Sequence, residues 1–394
     1  MSIILLFATN LSANINDDYK PGDNSYFSLL TASPGIDVYK HYGHTGIRFH
    51  DPEKPIDLVF NYGLFDFSSP NFLMRFVTGK TDYLVAPISY YDFLLEYKME
   101  NRSVTEQVLN FNKDEIAKLW NALIINIRPE NREYRYNFFY ENCSTKPRDI
   151  IESSVNGKID YQWEGKYKSL RDEVHYFTAK HPWTRFGIDF ALGAKADETS
   201  NLKVQQFAPD VLMESFSRAV IVSDSNTNRP LVKETTQPIT IDTEQVIKSQ
   251  WLPDPVLVMW VVFLITLFFT WLEIKNKKQN LILNSVLYTV AGLLGLVIAF
   301  LVFLSEHPTT DINYQLLWLN PVYLIYLPGL IFRRFRRRRS FLIMALMIPL
   351  QVYALAGTLF LPQVIHPASY PLLLALMLRT ISGYIYYRNN NEDQ

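Results

Sequence analysis

The sequence predicts an α+β domain followed by a helical membrane domain, and three observations carry this prediction. Residues 14–222 are mixed polar and aromatic and change between strand and helix patterns, as in a folded extramembrane domain. Residues 251–394 contain apolar runs of bilayer-spanning length, about 17–25 residues each. Cys143 is the only cysteine in 394 residues, which excludes an intramolecular disulfide and a cysteine-rich metal site.

The extreme N-terminus has some features of an export signal. Residues 1–13 contain a short apolar run, Ile3–Ala8, and Leu11–Ala13 resembles the approach to a cleavage site. No basic residue precedes the run, so we predict only a possible short signal segment. The location of the N-terminal domain is inferred instead from the charges of the loops in the membrane domain.

The first half of the soluble domain has strand patterns. Val38–Phe49 alternates so that His44, Gly46 and Arg48 share one face, and Ile56–Tyr62 predicts a second strand in a hairpin-like pair with it. Further strands are predicted at Thr81–Pro87 and Arg102–Phe111.

Helices are predicted after these strands. Asn112 is a suitable N-cap with Glu115 three residues later, and an apolar stripe follows up to the break at Pro129. A second helix is predicted from Pro147 to Ile151, just after the cysteine, because proline suits a first helical turn. Residues 165–220 have a helical pattern with loops, and the polar residues 223–250 are predicted to be a linker.

The second half of the chain has five predicted spans joined by short loops. Pro321 and Pro328 interrupt the third span, and Arg379 lies in the fifth. We expect Arg379 to snorkel to the interface, with a buried functional charge as the alternative. The predicted spans are Pro255–Leu272, Leu281–Leu304, Leu316–Phe332, Phe341–Leu361 and Ala368–Tyr387.

The loop charges predict the orientation of these spans. The loops after the first and third spans are basic (Lys275–Lys278 and Arg333–Arg339), whereas those after the second and fourth contain no Lys or Arg. Basic loops stay in the cytoplasm, so the C-terminus should be cytoplasmic and the N-terminal domain extracytoplasmic. The arginine run is therefore predicted to be a topological anchor, and nucleic acid is not an expected partner.

The lone cysteine is either an inert core residue or a nucleophile. The polar residues around Cys143 favour reactivity, and a position just before a helix would stabilise a thiolate. His44 is the candidate general base among several histidines, and Asn61, on the adjacent strand, is the candidate for orienting its ring. The His41–His44 spacing has no carboxylate partner, so no metal site is predicted.

Two of these segments resemble permuted papain-like thiol enzymes of the NlpC/P60 and lecithin–retinol acyltransferase type. In that group the histidine strand precedes the cysteine helix, as it does here, and the resemblance assigns His44 as base, Asn61 as third polar residue and Cys143 as nucleophile. The acyltransferase branch often has histidine where this chain has Asn61. The segments are His44–Ile47, Val59–Gly63 and Asn142–Cys143.

A longer ordered set of motifs is similar to one family, the Lnb-type lipoprotein N-acyltransferases. The resemblance implies a permuted papain-like periplasmic domain joined to five transmembrane helices in the bacterial inner membrane. The motifs are Thr31–Gly35, Gly43–Thr45, Asn61–Phe67, Glu100–Arg102, Pro129–Arg132, Tyr134–Asn137, Asn142–Thr145, His307–Pro308 and Leu317–Pro321.

This resemblance also implies the chemistry. Cys143 would form a thioester with a fatty acyl chain and pass it to the α-amino group of a lipoprotein's N-terminal lipidated cysteine, without a cofactor. The expected partners are diacylated bacterial lipoproteins and membrane phospholipid, and the acyl donor and the product, triacylated or lyso-form, stay open. Residues expected to contact substrate are Asn142, Tyr62, Arg48 and Arg148.

Two rival functions follow from the same residues. The first is an NlpC/P60-like thiol peptidase or amidase that acts on peptidoglycan, and the second is a membrane scaffold with a degenerate papain-like domain. The presence of His44, Asn61 and Cys143 together disfavours the scaffold. A thiol that opens onto apolar surroundings would favour acyl transfer, and one that opens onto a polar cleft would favour the peptidase.

Overall fold

The computed structural model describes residues 19–65, 70–223, 228–241, 252–326 and 333–392. The predicted signal segment 1–13 lies outside these ranges. The chain divides into two compact units, one of residues 1–173 and 199–249 and the other of residues 174–198 and 250–394.

The first unit is α+β and is built on a seven-stranded antiparallel sheet. Its strand order is β10-β5-β1-β2-β3-β4-β6, so the two strands of the predicted hairpin, β2 and β3, lie near the centre. Strands β7, β8 and β9 form a small second sheet. The strands are β1 (Tyr26–Ala32), β2 (His44–Asp51), β3 (Ile56–Leu64), β4 (Asp82–Ser89), β5 (Val104–Leu109), β6 (Glu133–Arg135), β7 (Lys158–Asp160), β8 (Val220–Val222), β9 (Asn228–Pro230) and β10 (Val232–Ile239).

Eight α-helices lie between residues 72 and 218 of the described chain; of these, Leu170–Phe177 crosses the boundary between the two units and Pro182–Ala191 belongs to the second unit. They are α1 (Phe72–Val77), α2 (Tyr90–Met99), α3 (Lys113–Asn126), α4 (Thr145–Ser154), α5 (Leu170–Phe177), α6 (Pro182–Ala191), α7 (Leu202–Gln205) and α8 (Pro209–Arg218). The predicted cap of α3 is present as a capping box between Asn112 and Glu115.

Both faces of strand β2 are covered, one by the larger core and the other by helix α2. Ile47 and Phe49 pack in the larger core with Trp120 of α3 and Ile151 of α4. The opposite face meets α2, where Arg48 lies over the Tyr90 ring at 3.5 Å. Burial on both faces fixes the register of the strand, since a slip by one residue would exchange the two sets of side chains.

The predicted linker 223–250 differs from the structure in its first half. Strands β9 and β10 occupy part of it, and β10 pairs with β5 at the edge of the large sheet. The six central residues of β10 are exposed, so the strand has the polar composition of a linker and is held mainly by its backbone hydrogen bonds.

In the described residues, the second unit has four long helices, and three segments are long and apolar enough to cross a membrane: Pro255–Asn276, Leu281–Leu304 and Ser340–Gly357. The third predicted span differs, since its described part forms 3₁₀ helices at Tyr314–Leu317 and Pro321–Tyr326. The long helices are α9 (Pro255–Asn276), α10 (Leu281–Leu304), α11 (Arg333–Gly357) and α12 (Ser369–Glu392).

Residues 174–198, predicted within the soluble domain, belong to the second unit. The carbonyl groups at the end of α6 accept hydrogen bonds from amide side chains of that unit. Gln315 donates to the Asp189 carbonyl at 2.7 Å, and Asn313 donates to that of Phe190 at 2.8 Å. These buried amides tie α6 to the segment that follows α10.

Arg379 does not snorkel, contrary to expectation. It is fully buried and donates to Glu273 and Asn284 at 2.7 Å and to Thr270 at 2.8 Å. A buried arginine with three oxygen acceptors and a paired carboxylate is electrostatically compensated, which explains how α9, α10 and α12 accommodate it.

Candidate active site

His44 is the first residue of β2 and lies beside Asn61 of β3. Gly46 is directly opposite Asn61 in the strand register, so Asn61 and His44 project from the same face of the sheet. The His44 Nε2 and Asn61 Oδ1 atoms are 2.6 Å apart. Because a neutral amide oxygen can only accept, Nε2 carries the proton and Nδ1 is left with a free lone pair. This is the tautomer that a general base needs.

Cys143 lies in the turn that leads into α4, which packs against α3 and against strand β2. Asn142 organises this turn: its Oδ1 accepts from the N–H groups of Ser144 and Thr145 at 2.8 and 2.9 Å. Asn142 thus satisfies the N–H groups of Ser144 and Thr145 at the start of the helix, whereas the N–H of Cys143 is directed at its own sulfur.

Gly63 marks the gap between the thiol and the imidazole. Its φ is +89°, and the strand register between β3 and β4 shifts at this residue. A Cβ atom added to Gly63 would lie 3.2 Å from Cys143 Cβ and 3.9 Å from His44 Cε1. The two functional side chains therefore approach each other across a glycine, and any larger residue there would project into the space between them.

The electrostatics of the pair favour neutral side chains. Burial raises the pKa of the Cys143 thiol to about 11, although N–H groups of Thr45 and Cys143 oppose the rise. Burial lowers the pKa of His44 to about 4, against the effect of the Asn61 hydrogen bond. At neutral pH the site therefore holds a thiol and a neutral imidazole, an arrangement in which an attacking sulfur would need a base to take its proton.

Tyr97 packs against the His44 imidazole, and Arg102 packs against Tyr97. The Tyr97 ring is stacked at 6.2 Å from the His44 ring, and the Arg102 guanidinium lies 4.6 Å from the Tyr97 ring centroid. Arg102 is itself fixed by bonds to the Ser33 carbonyl at 2.6 Å and the Glu100 carboxylate at 2.9 Å. Its charge lowers the pKa of both His44 and Cys143, after larger causes.

Four further residues of the candidate site were not predicted from the sequence, namely Gly63, Tyr97, Arg102 and Thr45. Gly63, Arg102 and Thr45 lie within motifs that carry the family resemblance, and those motifs were the available signal. No sequence signal distinguished Tyr97, because an aromatic residue among apolar helix positions is typical of ordinary core packing.

The four residues expected to contact substrate each have hydrogen-bond or ion-pair partners within the protein. Asn142 caps α4, and Tyr62 is buried and donates to Asn126 at 2.6 Å. Arg48 is paired with Asp57 and Glu106, each at 2.8 Å. Arg148 donates to Asp149 at 2.8 Å and also to the Lys203 carbonyl. Each of them stabilises the fold around the site.

The other candidate histidines have different partners. His41 Nε2 lies 3.0 Å from the Ile36 carbonyl, and His175 Nε2 lies 2.9 Å from the Asp189 carboxylate in the second unit. His50 faces Asp57 at 3.4 Å. Within the described ranges no cluster of three or more His, Cys, Asp or Glu side chains is arranged to hold a metal ion.

Comparison with known families gives two matches, which follow one another along the chain. Residues 12–174 match the Lnb N-terminal periplasmic domain, and residues 247–390 match the Lnb transmembrane domain. The first match ends where the first unit gives way to the second, at residues 173–174. Comparison with curated proteins and with solved structures finds no match.

Proposed function

Because the chain belongs to the Lnb family and is a membrane-embedded protein with a periplasmic domain, we propose that it is a lipoprotein N-acyltransferase of the bacterial inner membrane. The C-terminus would be cytoplasmic, the membrane domain would have five spans, and the first unit would be a permuted papain-like domain. The single observation that carries the proposal is the meeting of His44, Asn61 and Cys143 around Gly63.

The first half-reaction would acylate the enzyme. As the Cys143 sulfur attacks the ester carbonyl of a lipid, its proton passes to His44 Nδ1 and the S–C bond forms. The tetrahedral oxyanion needs donors, and the N–H groups of Cys143 and Thr45 face the sulfur. When the intermediate collapses, the C–O bond of the ester breaks and the His44 imidazolium protonates the leaving alcohol.

The second half-reaction would transfer the acyl chain. The α-amino group of a lipoprotein's lipidated N-terminal cysteine attacks the thioester and loses a proton to His44. The C–N bond forms, the S–C bond breaks, and the proton returns to the Cys143 thiolate. Asn61 holds the imidazole in the Nε2-protonated tautomer through both steps.

The surroundings of the thiol favour acyl transfer over peptidase chemistry. Cys143 packs against the larger apolar core, and its neighbours include Tyr83, Tyr134 and Tyr136, whose rings are buried or half-buried. A fatty acyl chain gains free energy in such surroundings, whereas a peptidoglycan stem peptide would leave its polar groups without partners.

The proposal is tested by mass spectrometry of lipoprotein N-termini in membranes that contain the wild-type chain, its Cys143→Ala variant or no copy. We expect N-acylation of the terminal cysteine only with the wild type. Phospholipid with isotopically labelled acyl chains distinguishes a phospholipid donor from the lipoprotein's own glyceride. An acylation state that is the same in all three membranes would rule the function out.

A further inference from the structure

Helix α1 exposes apolar side chains and packs none of its six residues into the core. Leu73 is 74% exposed, Met74 60% and Phe76 38%. The segment before β2, which includes the 3₁₀ helix Val38–Lys40, adds Ile36, Val38 and Tyr39, which are more than half exposed. A contiguous apolar surface of this kind on a folded domain is typical of a site that contacts lipid or protein.

The two segments meet at Phe65, which makes them one surface. The Tyr39 ring contacts the Phe65 ring edge-on at 6.2 Å, and Phe65 is stacked on Phe72 at 5.6 Å. We call this surface the apolar patch. The charges around the patch are paired: Arg75 of α1 lies 2.9 Å from the Asp82 carboxylate, and Asp37 lies 2.9 Å from Lys40.

A continuous row of stacked rings leads from the patch toward the nucleophile. Phe72 is stacked on Phe76 at 6.2 Å, Phe65 on Tyr83 at 4.8 Å, and Tyr83 on Tyr136 at 4.0 Å. We call these five rings the aromatic row. The row leads toward the thiol: Tyr83 is on β4, which pairs with the strand of Gly63, and a Cβ atom at Gly63 would lie 3.2 Å from Cys143 Cβ.

We propose that the aromatic row guides the fatty acyl chain of the lipid substrate from a bilayer surface at the apolar patch to Cys143. This inference rests on the proposed function. The chain is membrane-embedded, so lipid is the apolar phase available to the patch. Flat stacked rings offer an apolar wall along which an extended chain can lie without leaving a polar group unpaired.

The experiment compares long-chain and short-chain donors in the full-length protein. Acyl-enzyme formation is measured with phosphatidylethanolamine vesicles that contain anionic phosphatidylglycerol, and with p-nitrophenyl butyrate, whose chain is too short to reach the patch. The test variant is Leu73→Glu with Met74→Glu. Tyr91→Glu is the matched control, because Tyr91 is an equally exposed residue, at 72%, on α2.

We expect the double variant to form acyl-enzyme from the vesicles roughly tenfold more slowly or worse, because two apolar contacts with the chain are lost. Its reaction with the butyrate ester should match that of wild type, as should both reactions of the Tyr91→Glu control. An unchanged rate with vesicles, or an equal loss with both donors, would overturn the proposal. Failure of the proposed function is distinguishable, since the butyrate reaction would then survive Cys143→Ala.

Photocrosslinking gives a second, independent readout. With p-benzoylphenylalanine in place of Leu73, irradiation in the same vesicles should give a phospholipid adduct, and the same group in place of Tyr91 should give none. Adducts with protein alone at position 73 would overturn the proposal and assign the patch to a protein partner.

Discussion

Replacing Gly63 by alanine tests the geometry of the site most sharply, because the change adds one methyl group at a known position. The added carbon would lie 3.2 Å from Cys143 Cβ, which is tighter than ordinary van der Waals contact, so the cysteine must move by a few tenths of an ångström. Near-attack geometry tolerates little displacement, and a 1 Å shift costs about 100-fold in rate. We expect acyl-enzyme formation to fall by roughly 10- to 100-fold.

The same substitution has a separate effect on stability. A φ of +89° costs a residue with a side chain about 1–2 kcal/mol relative to glycine, so the variant should be less stable by that amount but still folded. The control is Gly187→Ala in α6, where an added Cβ meets no atom within 4 Å. A helical glycine replaced by alanine should gain roughly 0.5–1 kcal/mol and leave the rate unchanged.

The assay measures acylation of Cys143 by p-nitrophenyl butyrate, with near-ultraviolet circular dichroism to confirm the fold. Wild-type kinetics in the Gly63→Ala variant would refute the reasoning, since the thiol and the imidazole could not then meet across this position.

Three further predictions follow from the same geometry and from the membrane unit. Asn61→Ala should lower kcat with little change in KM, because the imidazole loses the hydrogen bond that fixes its tautomer but no substrate contact is lost. Asn61→Gln should not restore kcat, because its longer side chain places the amide oxygen elsewhere. Burial raises the pKa of Cys143, the only cysteine, to about 11. The rate of iodoacetamide labelling should therefore increase about tenfold per pH unit from pH 7 to 10, because only the thiolate reacts. A rate that is constant between pH 5 and 7 would contradict this and indicate a thiolate–imidazolium pair. Arg379→Leu should lower the free energy of unfolding by about 3–5 kcal/mol, because it leaves Glu273 without its ion-pair partner. Adding Glu273→Leu should recover part of this loss in thermal unfolding. A double variant as unstable as the single one would show that the ion pair is not the cause.

The sequence predicts the parts of the site that depend on local periodicity. Strand alternation places His44 and Asn61 on one face once the hairpin register is set, and the short-range signals for α3 and α4 are strong because caps and prolines act within one turn. The apolar pattern likewise predicts the spans that form α9 and α10.

The rest depends on contacts that no local pattern encodes. An arginine in an ion pair cannot be told from one at a binding site by its sequence neighbours, so the pairing of Arg48 with Asp57 and Glu106 could not be predicted from the sequence. Strand β10 has exposed polar side chains and exists through its pairing with a strand more than a hundred residues away. The 3₁₀ helix Pro321–Tyr326 packs against α10 where Gly292 leaves room for Leu324, a fit between two distant segments.

The most direct measurement of the central claim is the mass of the intact protein after incubation with phospholipid vesicles. The account predicts an added acyl chain on Cys143 that hydroxylamine removes, as a thioester requires. The adduct should be absent from Cys143→Ala and strongly reduced in His44→Ala, with both variants folded. No adduct on the wild-type protein, or one that persists without the thiol, would contradict the account.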